Sequence, residues 1–151
     1  MKLMLVTVVT ALAVSAAAAQ VLEGVQLAQA GGDALPIGFK TTPLVKAVTT
    51  AGNDKLVYPA GEAEIVSVIG ELDAGGRTAR HQHPVPVFVY VLEGTLSVQA
   101  DGAAARTYKA GEAFIEDVDR WHQAFNRGTS SVKILAVFAG AAGKPTTVNA
   151  Q

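Results

Sequence analysis

The chain has 151 residues, half of them hydrophobic, and 12 Lys and Arg against 13 Asp and Glu leave a formal net charge of −1. That much apolar material suits one domain with a core and excludes a disordered chain, while Lys40, Lys46, Lys55, Arg77, Arg80, Arg106 and Lys109 are scattered among acids, so no nucleic-acid surface is expected. Cysteine is absent, which excludes disulfides, lipid-modified cysteine, thiolate ligands and thiol catalysis.

At the start, Met1-Lys2 precedes an apolar run over 3–14 and small residues over 15–19, the pattern of a secretory signal peptide cleaved after Ala19. Ala28-Gln29-Ala30 is a second cleavage candidate, but it lies far beyond the apolar run. An uncleaved anchor is disfavoured because the run falls short of the roughly 20 residues that span a bilayer. The expected organisation is a signal peptide over 1–19, a Gln/Ala/Gly-rich linker over 20–34 and one domain over 35–151. The mature protein is then periplasmic or secreted, with no membrane contact.

The domain reads as short β-type runs over 55–58, 63–72, 85–92, 95–100, 106–108, 113–116, 122–126 and 132–139. Turn chemistry separates them: Pro59-Ala60-Gly61, Asp73-Ala74-Gly75-Gly76, Glu93-Gly94, Asp101-Gly102, Ala110-Gly111 and Asn126-Arg127-Gly128. Strands at this even spacing predict an all-β sandwich or barrel, and no mature segment reads as a helix. The run 85–92 is apolar at both parities. Val85, Val87, Val89 and Val91 are assigned to the interior, and Phe88, Tyr90 and Leu92 to an outer face that a second subunit or the N-terminal extension would cover, so a homodimer is expected.

His81, His83 and His122 are the only histidines. In an extended strand His81 and His83 point the same way, about 7 Å apart along the chain, and Trp121-His122-Gln123 opens the next segment able to supply a third ligand. Imidazole suits zinc, iron, copper or nickel, and three on one side of an ion leave the other side open to water or substrate. One divalent transition metal held by these three residues is the expected cofactor.

These residues resemble the cupin superfamily, whose motifs read G-x5-H-x-H-x3-E-x6-G and G-x5-P-x-G-x2-H-x3-N. The first falls on Gly75, His81, His83, a non-matching Val87 and Gly94; the second on Gly111, non-matching Asp117 and Asp119, His122 and Asn126. The resemblance spans roughly 63–139 and implies a double-stranded β-helix, or jelly-roll barrel, with the metal inside. Val87 stands where the family's glutamate ligand stands, so the site is expected to be a three-histidine variant. A metal not neutralised by a carboxylate is a stronger Lewis acid and binds anions more readily. Ferrous iron is favoured, with zinc, manganese, nickel or copper as alternatives.

Glu116 is the candidate catalytic residue. It shares a parity with Phe114, and if that face is inward its carboxylate is a fourth ligand, a partner orienting a histidine or a general base; otherwise it is an exposed acid at a turn. Asp117 and Asp119 are expected to make turn hydrogen bonds, Trp121 and Phe125 to pack, Asn126 and Glu93 to serve hairpins, and Arg80 and Arg120 to be solvated or to attract an anion at the cavity mouth. The implied function is an exported iron dioxygenase acting on a small enolisable or phenolic compound. The alternatives are a zinc-type hydrolase, lyase or isomerase, and a module that binds a metal or small ligand without turnover.

Overall fold

The computed structural model describes residues 38–151, so the expected signal peptide over 1–19, the whole linker over 20–34 and the first three residues of the expected domain lie outside the described residues. The chain divides into units Met1–Pro43 and Leu44–Gln151. Of the first, 38–43 is an exposed stretch without regular structure. No helix occurs among the described residues, and none is long and apolar enough to cross a membrane.

Nine strands form the second unit: β1 Ala63–Leu72, β2 His81–Gln82, β3 Val87–Glu93, β4 Thr95–Ala100, β5 Arg106–Lys109, β6 Ala113–Ile115, β7 His122–Phe125, β8 Val132–Ala141 and β9 Val148–Asn149. They make two antiparallel sheets, β1-β8-β3-β6 and β5-β4-β7-β2-β9. This is the all-β class that the evenly spaced runs predict, in the two-sheet jelly-roll form that the family resemblance implies.

The core lies between the sheets. Val85, Val87, Val89 and Val91 are each at most 1% exposed, and they meet Leu96, Phe114, Ala124, Val132, Ala136 and Phe138. Each fully buried side chain of this size contributes about 1.5–3 kcal/mol of transfer free energy, which fixes the parity of β3. Gly94 joins β3 to β4 at φ 79°, and a Cβ there would stand 2.7 Å from the Ser131 carbonyl oxygen, so only glycine fits the turn.

On the opposite face of the same sheet, the pairings Phe88↔Val137, Tyr90↔Leu135 and Phe88↔Ile115 put apolar side chains side by side. Phe88 and Tyr90 are therefore half-buried by their own neighbours, while Ile65 and Ile69 on β1 remain 66% and 59% exposed.

Two segments differ from expectation. The run 55–58 forms no strand: Lys55 makes a single bridge to Thr49, and Val57 and Tyr58 are exposed. A tight loop closed by Thr50 N–H to Asp54 O, with Asn53 at φ 70°, folds the run back so that Leu56 N–H donates to the Val48 carbonyl, and Pro59 has no N–H to donate. Conversely β9 has no sequence signal; its two residues are strand only because they pair with His81 and Gln82.

Candidate metal centre

β2 and β7 are neighbours in the five-stranded sheet, and their one paired position is His81↔His122. His83 follows β2, bridges Val118 and is buried. The ring centroids lie 4.8 Å (81–83), 4.4 Å (81–122) and 5.2 Å (83–122) apart. One ligand atom from each lies within 4.8 Å of the other two, so the three could hold one metal ion. Nitrogens bound on one side of a common ion at about 2.1 Å stand roughly 3.0–3.4 Å apart. The widest pair would close by more than about 1 Å.

The ring orientations are set by backbone. Each Nδ1 faces a carbonyl oxygen: Ala79 at 2.8 Å for His81, Thr146 at 2.8 Å for His83, and Arg120 at 2.9 Å for His122. A carbonyl only accepts, so each Nδ1 carries a proton and each ring turns its Nε2 inward. Carbonyls in this position are what orient metal-bound imidazoles. The Nε2 of His122 is buried with no hydrogen-bond partner, an orphan that needs a compensating cation or proton.

Glu116 comes to the same place. β6 ends at Ile115, and the next residue is buried, with Oε2 3.1 Å from His83 Nε2 and Oε1 3.6 Å from His122 Nε2. Burial by itself would raise this carboxyl's pKa, but the His83 contact and the charges of His122, His83 and His81 outweigh it and hold it below the usual range. His81 is lowered too, first by burial and then by the neighbouring histidines, against a raising contribution from the Ala79 hydrogen bond. Three imidazole nitrogens thus face one another, with the Glu116 carboxylate beside two of them. The donor set fits a divalent transition metal.

Beside Glu116 and His122 runs a cavity whose walls include Ala51, Val98, Ala100, Tyr108 and Phe114, with Arg106 on the same lining. It has about 20 Å³ of room for water, one molecule by volume. Tyr108 and Phe114 stack at 3.7 Å between centroids. Val98↔Arg106 and Leu96↔Tyr108 are paired across β4 and β5, which brings Arg106 and Tyr108 to this wall.

The flanking residues take specific roles, and Asp117 departs from expectation. Asp117 is not a turn residue: it is buried and accepts a hydrogen bond from Gly52 N–H, where a Cβ would strike the carboxylate, and it pairs with Arg120 at 3.5 Å. Asp119 sits at φ 53°, a glycine-like conformation that aspartate tolerates, and its N–H bonds the His83 carbonyl. Arg80 is taken up by Asp101 and by the face of Trp121, 4.7 Å from the ring centroid, and Arg120 reaches the Asp101 carbonyl, so neither lines the cavity. Asn126 does more than serve its own hairpin, its Nδ2 lying within 3.0 Å of the Leu72, Asp73 and Ser130 carbonyls.

Sequence reasoning missed the Thr146 carbonyl, the Thr147 hydroxyl 3.2 Å from His83 Nδ1, and Arg106 with Tyr108 at the cavity. A backbone carbonyl leaves no trace in the residue types.

Residues 68–138 match the family model described as Cupin domain. No curated protein matches the chain. Among solved structures it is similar to an oxalate oxidase in complex with the substrate analogue glycolate, at 24% identity over 56% of this chain and 45% of that one, TM-score 0.50. An uncharacterized conserved protein with a double-stranded β-helix domain from Klebsiella pneumoniae matches at 21% identity over 64% and 82%, TM-score 0.50. A polyketide cyclase from Streptomyces resistomycificus matches at 22% over 60% and 63%, TM-score 0.50. The chain spans under half the length of the oxalate oxidase it matches.

Proposed function

We propose that this chain, whose residues 68–138 match the Cupin domain model, is an exported, metal-dependent enzyme, a dioxygenase acting on a small enolisable or phenolic compound. The observation that carries the reading is the convergence of the His81, His83 and His122 Nε2 atoms with each Nδ1 tied to a carbonyl, leaving His122 Nε2 orphaned in the interior. Apolar packing alone would not select such an arrangement, because an unsatisfied buried acceptor costs about 1–3 kcal/mol.

His81, His83 and His122 would hold one divalent metal, ferrous iron first, which would bring substrate and dioxygen together. The protein supplies the surroundings. Val98, Ala100 and Phe114 give the cavity an apolar lining that excludes bulk water, and the guanidinium of Arg106 on the same wall favours an anionic substrate such as an enolate. The likeness to both an oxidase and a cyclase shows the fold alone, so the activity rests on the site. The exposed Ile65 and Ile69 beside half-buried Phe88 and Tyr90 support a homodimer through that face.

The test is oxygen uptake by the purified, iron-loaded protein with a panel of enolisable and phenolic compounds, next to metal analysis of the wild type and of His122→Ala. Uptake with at least one compound, and near-stoichiometric metal lost in the variant, are expected. Metal without uptake would leave a zinc-type catalyst, if activity persists without oxygen, or a binding module, if no turnover is found.

A further inference from the structure

Glu116 is a buried carboxylate with no Lys or Arg paired to it among the described residues; the ion-pair partners of its two oxygens are the Nε2 atoms of His83 and His122, at 3.1 and 3.6 Å. An acid that orients a histidine does so by accepting from its Nδ1–H, and those three donors are already taken by the carbonyls of Ala79, Thr146 and Arg120. Glu116 stands on the other side of the rings, where the Nε2 atoms converge.

Its origin in the fold is specific. The pairs Phe88↔Ile115 and Val89↔Phe114 join β3 to β6, and one step further the Glu116 N–H donates to the Val87 carbonyl at 3.0 Å. Val87 and Glu116 therefore enter the barrel side by side from adjacent strands. Val87 is buried at 1% exposure and has no donor atom to offer.

Resting on the reading that the three histidines hold a metal, we infer that Glu116 is its fourth protein ligand, a carboxylate supplied from the end of β6 in place of residue 87 on β3. The site is then a three-histidine, one-glutamate centre with one negative charge against the metal's two. Four protein donors complete a tetrahedral zinc ion, whereas an ion that accepts more ligands, such as ferrous iron or manganese, keeps room for a small molecule. Placement of the carboxylate thus bears on which metal leaves the centre reactive.

The experiment titrates cobalt(II) into the full chain and reads its visible absorption, for the wild type, Glu116→Gln and the swap variant Val87→Glu/Glu116→Ala. Glutamine keeps the shape of the side chain, and the swap returns a carboxylate from the neighbouring strand. The expected result is an altered cobalt spectrum in Glu116→Gln and a loss of affinity beyond the roughly 10–100-fold that follows removal of an outer hydrogen-bonding partner, with the wild-type spectrum recovered in the swap. An unchanged spectrum in Glu116→Gln overturns the assignment and leaves Glu116 as a base beside the metal. A folded swap variant that does not recover the spectrum overturns it as well. Wild-type protein that takes up no cobalt sinks the three-histidine reading along with it.

Discussion

Around Val89, Val91, Leu96 and Val132 the barrel interior is filled by side chains at no more than 1% exposure, whereas around His81, His83, His122 and Glu116 it is lined by imidazole nitrogens and a carboxylate. Apart from the half-buried His81, both regions are buried, and both are built on the same strands, since Val87 and Val91 share β3 and His122 and Ala124 share β7. The first region is stabilised by removing apolar area from water. In the second, burial is unfavourable until something positive joins the acceptors. The contrast teaches that one continuous core can be complete at one end and conditional at the other.

Adding metal should sharpen that contrast most. A divalent ion present at about 1,000 times its Kd stabilises the native state by about 4 kcal/mol, and a chelator should reverse the gain. Thermal melts with and without ferrous iron or zinc should show the shift in the wild type, and none in His122→Ala. An equal shift in the variant would mean that the ion binds elsewhere.

The opposite end can be broken by packing. Leu96→Ala empties a fully buried position and should cost about 3 kcal/mol in denaturant unfolding. Metal affinity of the folded fraction should stay at the wild-type value, because Leu96 contacts the apolar end. A parallel loss of affinity would show that the two ends are mechanically one.

The smallest effect belongs to the surface. Asp101 carries a pKa lowered first by its hydrogen bond from Arg80, so the pair stabilises the fold above the ordinary carboxylate range and the contribution disappears as pH falls through the lowered value. Asp101→Asn should flatten slightly the acid-side fall in melting temperature between pH 6 and pH 3, conditions set by the experiment. Because both side chains are largely exposed, the change should be well below that of Leu96→Ala. A steeper fall in the variant would contradict the sign.

Strand content was legible because it depends on local alternation. Ala63–Leu72 and Thr95–Ala100 were readable to the residue, and the parity of the β3 valines followed from two-residue periodicity. The spacing of His81, His83 and His122 with Gly75, Gly94, Gly111 and Asn126 gave the superfamily. The run 55–58 misled because β propensity says nothing about whether a sheet edge is free to receive it.

By itself, then, the chain determined an all-β fold, the inward parity of its valines and a trio of histidines within one motif pattern, since each is written in residue types at short, regular separations. Only the tertiary structure decided what surrounds and orients those histidines. The Thr146 carbonyl reaches His83 from 63 residues away, the Gly52 N–H captures Asp117 across 65, and register between β3 and β6 brings Glu116 beside Val87. Backbone acceptors and strand register are properties of the folded chain, because any residue type can supply a carbonyl and pairing is set by how whole sheets bury their faces.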